Sequence, residues 1–337
     1  MKKAAALLMA VAVGMSMAGC SQETQETAGP SGGAAAEASD TSQTGEGYTV
    51  GICQLVQHEA LDAATQGFKD ALTEALGDQV SFEEQNAQGD SNTCSTIINS
   101  FVSSGVDLIL ANGTAALQAA QAGTDQIPVL GTSVTEYGVA LGIDNFTGLV
   151  GGNISGTSDL APLDQQAAMF SELLPDAKNV GLLYCSAEAN SQYQVDVVKA
   201  ELEELGYSCE YYAFSDSNDL SAVVTNAAAQ CDAIYVPTDN TVASNTEIIN
   251  NICQPAEVPI IAGEQGICSG CGIATLSIDY YDLGAATGEM AAQVLTGEGD
   301  ISQMEIQYAP QFTKKYNPAM CEALGIAVPE GYEAIEE

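Results

Sequence analysis

From residue 48 onward, short apolar runs rich in β-branched residues alternate with longer segments in which apolar residues recur every three or four positions. The run YTVGICQLV at 48–56 predicts a buried strand, and the spacing of apolar residues over 60–76 predicts an amphipathic helix. The same reasoning predicts strands at 80–87, 107–111, 128–134 and 179–185, and helices at 91–102, 162–174, 191–205, 219–229 and 243–253. Repeated units of this kind are typical of parallel sheets with helices on both faces. Two such series, separated by a Gly-rich passage at 138–158, predict an α/β protein with two doubly wound parallel-sheet lobes.

The segment before residue 48 has a different character. Lys2 and Lys3 precede an apolar run at 4–18, which is shorter than the ~20 residues that span a bilayer and is typical of a signal peptide. The tetrapeptide that ends in Cys20 resembles a bacterial lipobox, which implies removal of residues 1–19 and lipidation of Cys20; an ordinary signal peptide with an incidental Cys is the alternative. Residues 20–47 contain no large apolar side chain after Cys20, so we expect a disordered tether.

The charge of the chain is strongly acidic. It has 45 Asp and Glu residues against 7 basic residues, all of them Lys, and a net charge of −38, which becomes −40 when Lys2 and Lys3 are removed with the signal. Such a surface repels phosphate backbones and argues against nucleic-acid binding. Because there is no Arg, an anionic ligand group must be held by hydroxyls, backbone N–H groups, helix N-termini or Lys.

Candidate ligand-binding residues follow the strands, because open α/β sheets bind ligands at the carboxyl ends of their strands. In the first series these residues are mostly neutral donors: Gln54, His58, Asn112, Thr114, Ser133 and Thr135. In the second series they include acids: Glu188, Asn190, Ser191, Asp239, Asn240 and Glu264. This division suits a zwitterion, with its carboxylate on hydroxyls and a helix N-terminus after Asn112 or Ser133 and its ammonium on Asp239, Glu264 or Glu188.

Seven strings in order resemble a known family: QLVQHEALDAATQGFKDAL (54–72), NAQGD (86–90), GTSVTE (131–136), GNISGTSD (152–159), SAEANS (186–191), DAIYVPTDN (232–240) and GIATLSIDYYDLG (272–284). They are similar to bacterial ABC-transporter solute-binding lipoproteins of the tryptophan/tyrosine type over residues 48–325. The resemblance implies the first type of periplasmic-binding-protein-like fold, with three crossovers through a hinge. It places 48–158 and 280–302 in the first lobe, and 159–279 and 303–337 in the second.

The resemblance also implies site residues and a ligand class. Family positions match Ser133 and Thr135, Glu188 with Asn190 and Ser191, Thr238 with Asp239 and Asn240, and a later acid at Asp279. The family's ligands are aromatic amino acids. The chain departs from the family pattern at Glu59, where Pro is common, at Glu136, where Asp is common, and at Ala115, where Pro is common.

The cysteines leave alternatives open. Ten are present, and lipidation of Cys20 leaves nine, which cannot all pair. Export favours disulfides, whereas the apolar surroundings of Cys53, Cys185 and Cys231 favour buried free thiols. The Cys268-Ser-Gly-Cys271 motif is expected in a loop before a strand, where a disulfide or free thiols are favoured over redox chemistry or zinc binding.

These observations predict a binding protein rather than an enzyme, with no cofactor. The leading hypothesis is a monomeric lipoprotein, anchored on the outer face of a bacterial membrane, that delivers an aromatic amino acid (Trp, Tyr or Phe) to an ABC permease driven by a cytoplasmic ATPase. The alternatives are a sensory receptor lipoprotein of the same fold, a binder of another small molecule, and a thiol oxidoreductase that uses Cys268 and Cys271. Hydrolysis is disfavoured because His58 is the only His, and as a catalytic base it would need a nucleophile in reach and an orienting acid.

Overall fold

The computed structural model describes residues 47–336. The predicted signal peptide, the lipidation site Cys20 and the tether up to residue 46 lie outside this part of the chain. Within residues 47–336, no helix has the length and apolar character that a membrane span requires.

Thirteen strands and twelve α-helices alternate along the described residues. The strands are β1 Tyr48–Gln54, β2 Val80–Asn86, β3 Leu108–Asn112, β4 Val129–Val134, β5 Ile154–Ser158, β6 Asn179–Cys185, β7 Ser208–Phe214, β8 Ala233–Val236, β9 Ile260–Ala262, β10 Ala274–Ser277, β11 Gln307–Tyr308, β12 Thr313–Tyr316 and β13 Glu333–Ala334. The helices are α1 Glu59–Leu76, α2 Ser91–Ser104, α3 Thr114–Gly123, α4 Tyr137–Leu141, α5 Leu163–Leu173, α6 Ala189–Glu204, α7 Ser217–Gln230, α8 Asn240–Ala243, α9 Thr246–Cys253, α10 Gln265–Cys271, α11 Tyr280–Thr296 and α12 Pro318–Leu324.

The strands form two sheets, one for each lobe. The first has the order β11-β5-β4-β3-β1-β2, and all of its pairings are parallel. The second has the order β13-β12-β10-β9-β8-β6-β7, and only the β10–β12 pairing is antiparallel. Separate apolar clusters lie on the two faces of each sheet, which explains why the central strands read as uninterrupted apolar runs. The two-lobed α/β fold predicted from the sequence is confirmed.

The chain passes between the lobes three times, after β5, after β10 and between β11 and β12. The second passage brings α11 against α1 of the first lobe, where the two helix backbones touch. A Cβ atom at Gly284 would lie 1.9 Å from the Ala64 carbonyl oxygen, and one at Gly67 would lie 2.0 Å from that of Tyr281. Only glycine therefore permits this packing, which attaches α11 to the first lobe.

Three local features differ from the sequence expectations. The Gly-rich passage at 138–158 contains helix α4 and strand β5, which sequence patterning missed because Gly and Ser hide the strand signal. The third passage between the lobes comes after Tyr308 rather than at 302–303, because β11 pairs with β5 in the first sheet. Cys268 and Cys271 lie in helix α10 rather than in a loop, because the Glu264 side chain caps that helix by accepting from Gly266 and Ile267.

Candidate functional site

The two lobes enclose a cavity at the carboxyl ends of their strands. The space between its walls, counted together with the solvent at its mouth, is about 290 Å³. Its walls are formed by His58, Ala60, Leu61, Ser133, Thr135, Asp159, Asn190, Thr238, Asp239, Asn240, Ala243, Glu264 and Tyr280. Its position at the carboxyl ends of the strands is the place where open α/β sheets bind ligands.

Ser133 and Thr135 bring hydroxyl groups to the wall from the end of β4. The register between β4 and β5 shifts between Gly131 and Val134, and Ser133 adopts a left-handed backbone conformation with φ of 53°. The buried Ser133 Oγ has no hydrogen-bond partner among the described residues. Thr135 Oγ1 lies 3.4 Å from Thr238 Oγ1 of the second lobe, so the two lobes meet directly here. Backbone strain and an unpartnered hydroxyl at one residue are typical of a binding site.

Asp159 follows β5 directly, on the first passage between the lobes. Its Oδ2 atom accepts a hydrogen bond of 2.9 Å from the hydroxyl of Tyr280, the first residue after the second passage, so two hinge segments are joined. Its Oδ1 atom is buried and finds no partner in the part of the chain that the structure describes. Burial raises the pKa of Asp159, and the hydrogen bond from Tyr280 opposes that shift. The carboxyl group therefore has one oxygen free to accept from a ligand.

Asn190 presents a third unpartnered acceptor from the second lobe. Its Nδ2 atom donates to the Thr238 carbonyl oxygen at 2.9 Å, which orients the amide and leaves Oδ1 buried with no partner within residues 47–336. Thr238 is itself held by Gln194, whose Nε2 donates to Thr238 Oγ1 at 2.6 Å. Three cavity residues, Ser133, Asp159 and Asn190, thus carry buried polar atoms that only an additional molecule could satisfy.

Asp239 and Glu264 also line the cavity, but their carboxylate oxygens accept from backbone N–H groups. Asp239 caps α8 by accepting from Val242 and also accepts from Cys185 N at 2.7 Å. Glu264 caps α10. Burial raises the pKa of Asp239 to about 8, with a further contribution from the charge of Glu188, and burial raises the pKa of Glu264 to about 7.

His58 lies opposite Asn240 across the cleft. His58 Nε2 is 3.2 Å from Asn240 Oδ1, and Asn240 Nδ2 donates to Glu188 Oε2 at 2.7 Å. The other Glu188 oxygen accepts from the backbone and hydroxyl of Thr241. Glu188 therefore fixes the start of α8 and the orientation of the Asn240 amide rather than facing the cavity. Burial lowers the pKa of His58, while the hydrogen bond to Asn240 opposes the shift.

The sequence-predicted residues separate into two groups. Those that line the cavity are His58, Ser133, Thr135, Asn190, Asp239, Asn240 and Glu264. Those that do not are Gln54, Asn112, Thr114, Glu188, Ser191 and Asp279. Gln54 and Asn112 form a buried network with Thr65 beneath α1, and Asp279 is an exposed cap of α11. Helix α6 begins at Ala189, two residues earlier than predicted, and leaves Ser191 inside the helix.

Asp159 is the cavity residue with a free acceptor that sequence reasoning missed. The sequence offered one signal, an acid placed immediately after residues 154–158. These residues form strand β5, but their Ser and Gly content does not show a clear strand pattern.

Among residues 47–336 no group of three or more His, Cys, Asp or Glu side chains is arranged to hold a metal ion. The nine cysteines of that same part are all free, and Cys268 and Cys271 are buried outside the cavity.

The family model described as ABC transporter substrate binding protein matches residues 49–334. A curated relative, a tyrosine-binding protein of Clostridioides difficile, is 36% identical over 306 residues, which are 89% of this chain and 86% of that protein.

Two solved structures are informative about conformation. An ABC domain from Streptococcus pneumoniae in complex with L-Trp is 32% identical, covers 86% of this chain and 100% of its own, and has a TM-score of 0.81. A ligand-free, open substrate binding protein with adhesive properties from Clostridium difficile is 34% identical, covers 86% and 99%, and has a TM-score of only 0.65. The better superposition on the ligand complex agrees with direct contacts between the lobes and indicates a closed cleft. The chain belongs to the ABC transporter substrate-binding protein family, whose members act outside the cytoplasm, bind a small molecule between two lobes and deliver it to a membrane permease.

Proposed function

We propose that this protein captures one α-amino acid with an aromatic side chain and delivers it to its permease. The observation that carries the proposal is the set of three buried, unpartnered polar atoms that face one cavity: Ser133 Oγ, Asp159 Oδ1 and Asn190 Oδ1. Two acceptors, one of them ionisable, and one hydroxyl match the two ends of an amino-acid head group. The similarity to a tyrosine-binding protein and to an L-Trp complex supports the same class of ligand.

In this proposal the ligand ammonium binds Asp159 Oδ1 and Asn190 Oδ1, because both atoms can only accept when the Asp159 carboxyl is ionised. The ligand carboxylate accepts from the hydroxyls of Ser133 and Thr135, as expected for a chain without Arg. Asp239 and Glu264 provide no free acceptor pair, since their oxygens already cap helices. The ammonium is therefore assigned to Asp159 instead of the acids that the sequence favoured.

The ligand side chain faces the remaining wall, which Ala60, Leu61 and Ala243 make apolar. Burying an aromatic side chain there contributes roughly 2–3 kcal/mol to binding. Among the described residues of the cavity lining, Tyr280 is the one Phe, Tyr or Trp, and its hydroxyl donates to Asp159. Tyr184 and Tyr281 are not part of this wall.

The proposal includes membrane attachment through a lipid on Cys20, a tether over residues 20–47 and a monomeric body. It includes no chemical step on the ligand, because His58 hydrogen-bonds to Asn240 rather than to a hydroxyl or thiol nucleophile. Metabolic labelling with a fatty acid tests the anchor: label is expected in the wild type and lost in Cys20→Ala, and equal labelling of both proteins would contradict it.

A thermal-shift series with the twenty amino acids, a purine nucleoside and a hexose tests the ligand class. We expect the largest rise in melting temperature from Trp or Tyr, because a ligand that binds only the folded state stabilises it by mass action. Calorimetry then gives the affinity and stoichiometry of the best ligand. A rise with the nucleoside or the hexose and none with any amino acid would refute the proposal while leaving the family assignment intact.

A further inference from the structure

We propose that His58 discriminates among aromatic amino acids: through Nδ1 it accepts a hydrogen bond from ligands whose ring carries an N–H or O–H donor. This inference rests on the proposed function above and identifies the residue that selects within that ligand class.

The cavity wall divides into a part for the head group and a part for the ring. The unpartnered atoms of Ser133, Asp159 and Asn190 form the first part. The second part comes from the start of α1 and from α8, where the wall residues are His58, Ala60, Leu61, Asn240 and Ala243. A head group bound at the first part directs the ring of the ligand to the second, where His58 and Asn240 are the polar side chains.

The position of the proton on His58 follows from its neighbours. Asn240 Nδ2 donates to the Glu188 carboxylate at 2.7 Å, and the Asn240 backbone N–H donates to the same oxygen at 3.0 Å. Reversing the Asn240 amide would place its oxygen against a carboxylate, so Oδ1 must face His58 Nε2. An amide oxygen can only accept, and therefore His58 Nε2 carries the proton that forms the 3.2 Å hydrogen bond.

His58 Nδ1 is then an unprotonated acceptor. Burial lowers the pKa of His58 below its ordinary value, which keeps the imidazole neutral at pH 7. His58 occupies the N-cap position of α1 but makes no side-chain cap hydrogen bond, and within residues 47–336 its Nδ1 has no hydrogen-bond partner. A neutral ring with one committed nitrogen therefore leaves Nδ1 able to accept a hydrogen bond from a ligand donor.

A free acceptor at Nδ1 favours Tyr and Trp over Phe. The phenol O–H and the indole N–H can both donate to Nδ1, whereas Phe leaves that nitrogen without a partner when the cleft closes. A site that hydrogen-bonds a ligand group rejects the analogue that lacks it more strongly than a site that senses shape alone. Because His58 is only partly buried, we expect a preference of about tenfold rather than the larger ratios of fully buried sites.

The decisive comparison uses ligands of matched shape. We expect Trp to bind about tenfold more tightly than 3-benzothienylalanine, in which sulfur replaces the indole N–H, and Tyr to exceed Phe by a similar factor. Calorimetry on the full-length mature protein measures all four ligands.

Two substitutions at His58 separate selection from closure of the cleft. An Asn side chain can place its amide oxygen near the position of Nδ1 but does not reach Asn240, whereas a Gln side chain can place its amide nitrogen near the position of Nε2. His58→Asn should therefore bind every ligand more weakly but keep the preference for Trp over its sulfur analogue. His58→Gln should keep the affinity for the sulfur analogue within about threefold and lose the preference.

Equal binding of Trp and 3-benzothienylalanine by the wild type, or an unchanged ratio in His58→Gln, would overturn the role of His58 and leave the proposed function standing. Failure of all four ligands to bind would refute the proposed function together with this inference. A ratio that falls in His58→Gln and persists in His58→Asn would support selection through Nδ1.

Discussion

The most informative perturbation is Asp159→Asn, which replaces one carboxylate oxygen by an amide nitrogen and preserves the shape of the side chain. Tyr280 can still donate to the remaining oxygen, so the link between the two hinge segments is retained. What changes is the charge next to the free acceptor of the cavity. If the ligand ammonium binds there, it loses its carboxylate partner in a buried site.

The expected loss is large. Removing one partner of a buried, hydrogen-bonded charge pair costs about 2–4 kcal/mol, which corresponds to an increase of about 30- to 700-fold in Kd. The free protein should respond in the opposite direction. Burial raises the pKa of Asp159, so the ionised group destabilises the ligand-free closed cleft, and its replacement by Asn should raise or preserve the melting temperature.

Fluorescence offers a direct assay, because the chain contains no Trp and indole emission reports the ligand alone. Titrations should use Trp and its deaminated analogue, indole-3-propionate, with the wild type and Asp159→Asn in a double-mutant cycle. We expect Asp159→Asn to weaken the amine-bearing ligand and to leave the deaminated analogue within about threefold. Equal losses for both ligands would place the ammonium elsewhere, and unchanged Trp affinity would remove Asp159 from the site.

Three further predictions concern packing, pH and thiols. Gly284→Ala should destabilise the protein by about 1–3 kcal/mol in urea unfolding despite the better helix propensity of Ala, because a Cβ there meets the backbone of α1. The control Glu289→Ala, on the exposed face of α11, should change the free energy of unfolding by less than about 0.5 kcal/mol. A Gly284→Ala variant that is more stable than the wild type would contradict this packing. Burial raises the pKa of Glu264 to about 7 and that of Asp239 to about 8, whereas both are near 4 in the unfolded chain. The folded state therefore binds more protons than the unfolded state, and the melting temperature of the ligand-free protein should fall as the pH rises from about 5 to about 8. A melting temperature that rises over this interval would refute the raised pKa values. Burial raises the pKa of the Cys268 thiol well above its ordinary value, so alkylation of the native protein, followed by mass spectrometry, should leave this thiol unmodified. Cys268→Ser should not change the rate of insulin reduction. Rapid alkylation of Cys268 would instead support the oxidoreductase hypothesis.

The sequence predicts the two-lobed α/β architecture well because its central strands are buried on both faces. Strands such as NVGLLYC at 179–185 match their predicted bounds without change. Strand β5 was missed for a physical reason: its small residues pack closely against β4, where larger apolar side chains do not fit. A Cβ at Gly156 would lie 2.1 Å from the Gly131 carbonyl oxygen.

The candidate site was predictable in position but not in the roles of its acids. Residues that follow parallel strands are also the residues that begin the next helix, so Asp239 and Glu264 satisfy the rule for ligand sites and the rule for N-caps equally well. Sequence cannot distinguish the two roles, because the difference depends on which backbone N–H groups each carboxylate meets. Asp159 precedes no helix directly, since α5 begins at Leu163, and its Oδ1 is consequently free.

The placement of Asp159 connects ligand charge to movement of the lobes. Asp159 lies on the first passage between the lobes and Tyr280 follows the second, so the hydrogen bond between them joins two of the three hinge segments. In the closed cleft without ligand, the buried Asp159 carboxylate has an oxygen with no partner among the described residues, and the cost of burying that charge opposes closure. On the proposed assignment, the ligand ammonium compensates that charge only when both lobes surround it. The interaction that gives affinity therefore also shifts the population toward the closed state. The size of this shift is set by the ratio of the ligand's affinities for the closed and open states. A permease that recognises the closed form would then receive a loaded protein because the empty protein avoids that form.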